Sequence, residues 1–504
     1  MPARPYRAAK AAGKAVGALA SGGGSGSQVG WMPSRIDHFS ADPRTYQQRF
    51  FLNATFYKPG APVFLCIGGE GPGLTEDVVV TGGLHCALMV HLAEQHSALI
   101  VALEHRYYGL SQPFSDLSTA NLRFLSSRQA LQDIALFHEH ITALVALPSD
   151  TKWITFGGSY PGMLAAWARS KFGHLFHAAV SSSSPVEAIL DMQGYNDVTA
   201  SSLEDNLVGG SKACLIVVEA AFAALGKLMS TPAGRGQVER DLNVCGAASS
   251  PPILQDPRSR ALLLEGAADP LIPQSNDPAC THPVCDIRRQ CALLTNTTLG
   301  TPLQRLAELN HIARGGECLN ANYFEMLDGL KNEALADDRT DRVWFYQTCS
   351  EFAFYQTCDP GSKCPFTSLP HLNTVESYTS LCTLVFGIEH STVAELVNQT
   401  NAVYGGRDIS ATRIVWINGL IDPWRAQAVT KSLDPTARPA IIVPGASHHF
   451  WTHPALPSDS PYVVKARLQI AEFVTAALAE PKDDSDSDSQ AANPPPAVSL
   501  SSTP

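Results

Sequence analysis

The run Trp153-Ile154-Thr155-Phe156-Gly157-Gly158-Ser159-Tyr160-Pro161-Gly162-Met163 constrains the fold more than any other part of this chain. A short β-prone run enters a glycine-flanked serine, and an alanine-rich helical stretch, Leu164 to Ser170, leaves it. Strand, sharp turn and helix in that order lift one hydroxyl to the carboxyl edge of a sheet, with a helix N-terminus behind it. So tight a turn needs small neighbours, and Gly157 supplies one. Glycine usually stands two places after the serine in such a turn. Here Pro161 holds that place and Gly162 follows.

The surrounding sequence supplies a sheet for this turn to stand on. Pro62 to Ile67 is an apolar run ending in Gly68-Gly69-Glu70-Gly71, and Ala98 to Leu103 is another, ending in Glu104-His105-Arg106-Tyr107-Tyr108-Gly109. Arg128 to Leu147 has helical spacing, and Ala178 to Ser181, Arg413 to Ile417 and Ala440 to Val443 are further short strands. Continuous apolar runs separated by helices predict a parallel sheet buried on both faces. From Asp191 to Val403 the pattern becomes helical, cysteine-rich and broken by loops such as Ser249 to Arg258. At 504 residues the chain suits a large domain carrying an insertion. The expected organisation is a leader or disordered segment over 1–30, sheet domain over 31–190 and 404–480, helical cap over 191–403, and an acidic, proline-rich disordered tail over 481–504.

Composition narrows the function classes. Hydrophobic residues make up 45% and charged residues 16%, as in core-forming proteins. A formal net charge of −11 argues against nucleic acid as a partner, and no apolar stretch is long enough to span a bilayer. Twelve cysteines, most of them between Cys214 and Cys382, lack the paired spacing of a zinc site. They are expected to form disulfides in that segment, and no metal is expected. Sequons at Asn53, Asn296 and Asn398 fit a secretory route and a glycoprotein, whereas Met1 to Gly30 lacks the apolar core of a signal peptide.

A serine hydroxyl at such a turn needs a base, and the base needs an orienting carboxylate. Downstream, the strand Arg413 to Ile417 ends in Asn418-Gly419-Leu420-Ile421-Asp422-Pro423-Trp424. The last strand, Ala440 to Val443, runs into Pro444-Gly445-Ala446-Ser447-His448-His449. Serine, acid and histidine in this order, each after a strand, are expected of an α/β-hydrolase fold with Ser159, Asp422 and His448 as triad. His449 and His453 are the competing bases. The oxyanion hole is expected from the Tyr160 N–H and an N–H of the Gly68-Gly69-Glu70 loop, centred on Gly69.

These segments, with Asp37-His38-Phe39, Leu125-Ser126-Ser127-Arg128-Gln129-Ala130, Ser183-Ser184-Pro185-Val186 and Tyr346-Gln347-Thr348-Cys349-Ser350-Glu351-Phe352, resemble the prolyl carboxypeptidase family of serine peptidases over about residues 36 to 455. The Gly-Gly-Glu-Gly loop and the Ser447-His448 pair resemble its thymus-specific branch. The resemblance implies the same triad, a disulfide-stabilised helical cap, action in lysosomes or outside the cell, and cleavage after proline. Peptides are the implied substrates, no cofactor is required, and a homodimer is the candidate assembly. A proline pocket should be apolar and partly aromatic, and Met163 and Trp424 are placed to line it. Glu70 and Glu351 are candidates to grip a free amine of the substrate. An esterase or lipase using the same triad, or a non-catalytic binding protein of this fold, are the rival readings.

Overall fold

The computed structural model describes residues 26–247, 252–336, 340–366, 372–432 and 434–482. Most of the expected leader and nearly all of the expected tail lie outside these residues. Ten strands occur among the described residues: β1 (Ser27–Arg35), β2 (Thr45–Asn53), β3 (Val63–Ile67), β4 (Leu99–Leu103), β5 (Trp153–Gly158), β6 (Ala178–Ser182), β7 (Ile189–Asp191), β8 (Ala353–Tyr355), β9 (Ile414–Gly419) and β10 (Ala440–Val443). Eight form one sheet in the order β1-β2-β4-β3-β5-β6-β9-β10. From β4 to β10 all neighbours are parallel, and the β1–β2 and β2–β4 pairs are antiparallel. β1 therefore starts four residues inside the segment assigned to a leader.

The centre of the sheet is buried on both faces, and β3 and β4 are apolar at every position, not at alternate ones. Val63, Leu65 and Ile67 of β3 face the helices Ser127–Val145 and Tyr160–Lys171, while Phe64 and Cys66 face the helices Ala87–His96 and Pro461–Ala479. β4 divides in the same way, with Leu99, Val101 and Leu103 on one face and Ile100 and Ala102 on the other. The helix Ser127–Val145 is capped by the Ser126 hydroxyl, which accepts the Gln129 N–H, and it ends on Ala146 in the left-handed region.

Between β6 and β9 the chain leaves the sheet. It builds a mainly helical cap whose apolar core includes Phe222, Leu263, Leu306 and Phe366, with β7 and β8 paired parallel where it departs. The fold is that of an α/β hydrolase with an inserted, disulfide-bearing helical domain. All twelve cysteines are paired, as Cys66–Cys86, Cys214–Cys291, Cys245–Cys318, Cys280–Cys285, Cys349–Cys382 and Cys358–Cys364. Five lie in the expected segment. Cys66–Cys86 lies outside it and ties the end of β3, just before the Gly68–Gly71 loop, to the start of the helix Ala87–His96. No helix among the described residues is long and apolar enough to cross a membrane.

Candidate active site

β5 delivers Ser159 into a turn that few L-residues tolerate, at φ 62° and ψ −133°. Its N–H donates to Ser182 O (2.9 Å), and its carbonyl accepts the N–H groups of Gly162 (2.9 Å) and Met163 (3.1 Å), which start the helix. The demand for small residues falls on Gly157 and Gly162. A Cβ at 157 would lie 2.2 Å from Pro161 O, and one at 162 would lie 2.1 Å from Ser184 Oγ. Pro161 is tolerated because it stands in the first helical turn, where its missing N–H would have no intrahelical acceptor.

The acid comes from the loop after β9. Asp422 is fully buried, and its Oδ1 accepts the Trp424 N–H (3.0 Å) at the start of the short helical turn Pro423–Gln427. The loop after β10 crosses close by, since a Cβ on Gly419 would lie 2.2 Å from Ala446 O. That crossing brings His448 Nδ1 to 3.0 Å from both Asp422 oxygens. His448 Nε2 is buried without a hydrogen-bond partner. Of the rival bases, His449 is buried with its ring against the backbone of Gly158 and its N–H on Ser183 Oγ (2.8 Å). Burial pushes His449 well below the usual histidine range and lowers His453 to about 4. Asp422 contacts neither.

A cavity of about 350 Å³ is lined by Ser159, His448 and His449, by the Gly68–Leu74 loop, by His105 and Tyr108, and by Gln274 of the cap. Gln274 Oε1 also accepts Trp424 Nε1–H (3.2 Å) and the Tyr195 hydroxyl (3.2 Å), so cap and acid loop meet at the cavity rim. Further cap contacts reach the same loops, from the Asn276 N–H to Ser447 Oγ (3.2 Å) and from Ser202 Oγ to Ile421 O (3.4 Å).

The other expected residues divide. Trp424 is partly exposed, with its ring 6.1 Å from that of His448, 5.3 Å from Tyr195 and 5.6 Å from Phe354. Met163 is fully buried in the core beneath the serine and does not line the cavity, because the helix turns it inward. Glu351 does not line this cavity either. Its carboxylate accepts Ser127 N–H (2.9 Å) and Ser127 Oγ–H (2.6 Å) at the start of a helix, away from the cavity wall.

Glu70 does line the cavity with Ser159 and His448, and burial raises its carboxyl to about 7. Gly69 is needed for space, since its Cβ would lie 2.3 Å from the Pro161 ring. Sequence reasoning also missed His105. Its Nε2 meets the Tyr160 hydroxyl (3.0 Å) and its Nδ1 meets Arg106 O (2.7 Å), which braces the residue that follows Ser159. The His105 position in the Glu104–Gly109 segment was the available signal.

The fold is that of the α/β hydrolases. The chain belongs to the serine carboxypeptidase S28 family of serine peptidases, whose description matches residues 34–470. It is 39% identical to mouse thymus-specific serine protease over 468 residues, covering 90% of this chain and 88% of the relative. With the human thymus-specific serine protease it shares 38% over 456 residues, covering 88% and 85%. Human lysosomal Pro-X carboxypeptidase is 27% identical over 430 residues, covering 83% and 82%.

Proposed function

We propose that this protein is a serine exopeptidase that hydrolyses peptides after proline through an acyl-enzyme on Ser159. The observation that carries this reading is the state of His448, whose Nδ1 faces both oxygens of a buried carboxylate while its Nε2 stands without a partner beside the Ser159 cavity. In that arrangement Nε2 is the free base. It takes the Ser159 proton as Oγ attacks the peptide carbonyl, and then passes that proton to the leaving amine. Asp422 stabilises the imidazolium between those events. The developing oxyanion is met by the N–H of Tyr160 and one from the Gly68-Gly69-Glu70 loop, centred on Gly69. Water then repeats the sequence on the acyl-enzyme. No step calls on a metal or an organic cofactor.

Proline preference is supported by the aromatic side chains Trp424, Phe354 and Tyr195 beside His448, since a proline ring offers no N–H to satisfy and packs well on such faces. The name of the lysosomal Pro-X relative points the same way. Restriction to chain ends is supported by the cap residue Gln274 at the cavity rim. A free-ended peptide with proline second and next to last, followed by mass spectrometry at pH 5 and pH 7, tests this reading. Loss of an N-terminal dipeptide or of the last residue by wild type, absent in Ser159→Ala, is the expected result. An intact peptide with both proteins would sink the proline assignment.

A lysosomal or secreted location is supported by the paired cysteines and by the named location of the Pro-X relative. Asn296 and Asn398 are exposed, whereas Asn53 is buried in β2 and donates to Val79 O (2.7 Å). Glycan is therefore expected at Asn296 and Asn398 but not at Asn53 in protein from a secretory host. Endoglycosidase should shift the mass of wild type, and the shift should vanish in Asn296→Gln/Asn398→Gln.

A further inference from the structure

The Gly68–Leu74 loop has to hold a donor N–H still, yet four of its first six residues are glycine, which adds little rigidity of its own. Donors for a developing oxyanion act fully only when fixed to within about half an ångström. Something outside the loop must supply that order, and the two ends of the loop show what does. The Gly68 N–H donates to Leu103 O (2.9 Å), and the Leu74 N–H donates to Glu104 Oε1 (3.1 Å). Both acceptors belong to consecutive residues at the end of β4.

Glu104 lines the Ser159 cavity, but its carboxylate is spent on protein donors and not on substrate. Its Oε1 accepts from Leu74 and from Arg49 Nη2, and its Oε2 accepts the Leu110 N–H (3.0 Å) and the Ser111 hydroxyl (2.7 Å). Four donors fill the lone-pair positions of a carboxylate. Arg49 Nη2 also donates to Leu74 O (2.7 Å), so the ion pair grips both backbone polar groups of Leu74. The guanidinium is itself held over the Phe51 ring, 5.2 Å from its centroid. Two glycines make room for the pair. Gly109 has φ 54°, and a Cβ there would lie 2.1 Å from Glu104 Oε1, while one on Gly73 would lie 2.8 Å from Gly109 Cα.

We propose that the Arg49–Glu104 pair is a clamp that positions the oxyanion hole, because it fixes Leu74 and through it the place of the loop N–H opposite that of Tyr160. This role rests on the serine-peptidase reading above and on the two donors assigned there. Neither side chain reaches the reacting atoms, so both are positioning residues.

The test replaces the pair with two apolar side chains, Arg49→Met/Glu104→Leu, which leaves no buried charge but gives Leu74 no partner. Its kcat on a proline peptide should fall by about 10²-fold while KM stays within about threefold, because the loop N–H matters only once the oxyanion forms. A fluorophosphonate probe reads the same hole without peptide specificity. Ser159 Oγ bonds to phosphorus, fluoride leaves, the hydroxyl proton passes to His448, and the phosphonyl oxygen takes the oxyanion position. The labelling rate should fall by about the same factor, and its pH midpoint, set by His448, should not move. Glu104→Gln keeps one oxygen for Arg49 and the Leu74 N–H, and it should regain about tenfold of the loss. A melting temperature of the double variant above that of Glu104→Leu, at the lowered activity, separates positioning from stability. Wild-type rates in the folded double variant, a loss confined to KM, or a displaced midpoint would overturn the clamp. If the double variant does not fold, Glu104→Gln decides alone, since a loss of kcat by about tenfold at constant KM upholds the clamp and no loss overturns it. A wild type that neither labels nor cleaves overturns the hydrolase reading, and the clamp with it.

Discussion

Asp422→Asn is expected to lower kcat on a proline peptide by about 10⁴-fold while leaving the fold intact. The carboxylate presents oxygens only, and both lie 3.0 Å from His448 Nδ1, which must therefore carry its proton there and leave Nε2 as a lone pair. An amide of the same shape can turn its NH2 toward Nδ1, and the ring then places its proton on Nε2. In that tautomer the histidine cannot accept from Ser159, and no charge stabilises an imidazolium. The amide oxygen of the variant side chain can still accept the Trp424 N–H, so the turn after β9 should persist. The measurement is steady-state kcat beside a thermal unfolding curve, with Ser159→Ala setting the floor. A loss of less than about tenfold would mean that Asp422 does not orient the base. His449→Gln separates the neighbouring histidines, because it leaves the His448–Asp422 pair in place and should cost far less than Asp422→Asn.

Much of the fold was legible because its strands are buried on both faces. Val63–Ile67, Leu99–Leu103 and Ala440–Val443 are uninterrupted apolar runs, and a run with no polar position admits few other placements. The antiparallel pair β1–β2 was not legible. β2 carries Gln47, Gln48 and Arg49 in its middle, and these become strand residues only through partners far away in sequence. The Gln48 amide donates to Glu104 O (2.8 Å), and the Arg49 guanidinium reaches Leu74 O (2.7 Å) and Glu104. Disulfide Cys66–Cys86 was hidden for the same reason, since its partners meet only after β3 and the following helix have packed.

The site was legible as an order of strand ends, and it stopped being legible where side chains choose among nearby partners. Ser159, Asp422 and His448 each follow a strand, and the topology alone brings such ends to one edge. Glu70 and Glu351 look alike in sequence, as acids in conspicuous segments. One lines the cavity, and the other caps Ser127 at the start of a helix. No periodicity distinguishes them. Met163 is a similar case, because a residue one turn past the serine faces either the cavity or the core according to the helix's rotation, and here it faces the core.

The largest loss of stability is expected from Arg106→Met, at about 3–5 kcal/mol. Arg106 is fully buried, and its Nε and Nη2 donate to the two oxygens of Asp133 at 2.6 and 2.7 Å. Nη1 satisfies the carbonyls of Ile36 (3.0 Å) and Phe124 (2.9 Å), and Nη2 that of Arg35 (3.1 Å). Asp133 also takes His38 Nε2 (2.7 Å), Ser34 Oγ (2.6 Å) and the Tyr46 hydroxyl (3.2 Å). One ion pair thus joins β1, β2, the loop after β4 and the helix Ser127–Val145. Methionine fills much of the space but leaves Asp133 as a buried charge without its cation and three carbonyls without a donor. Burial alone would raise the Asp133 carboxyl, yet the charge and hydrogen bonds of Arg106, with His38, outweigh it and hold the group well below the ordinary carboxylate range. A depressed carboxyl stabilises the fold above its unfolded value, about 3.9, and that contribution is lost as the pH falls below it. The gap between wild type and Arg106→Met, read as a shift in the urea unfolding midpoint with disulfides intact, should be widest near pH 8 and narrow as the pH falls, first as the buried Asp133 of the variant takes up a proton and again below pH 4 as wild type loses its own contribution. Arg106→Met/Asp133→Leu should recover part of the loss, because two apolar side chains leave no uncompensated charge. A double variant as unstable as the sum of its two single variants would mean that Arg106 acts through its carbonyl contacts and not through the pair.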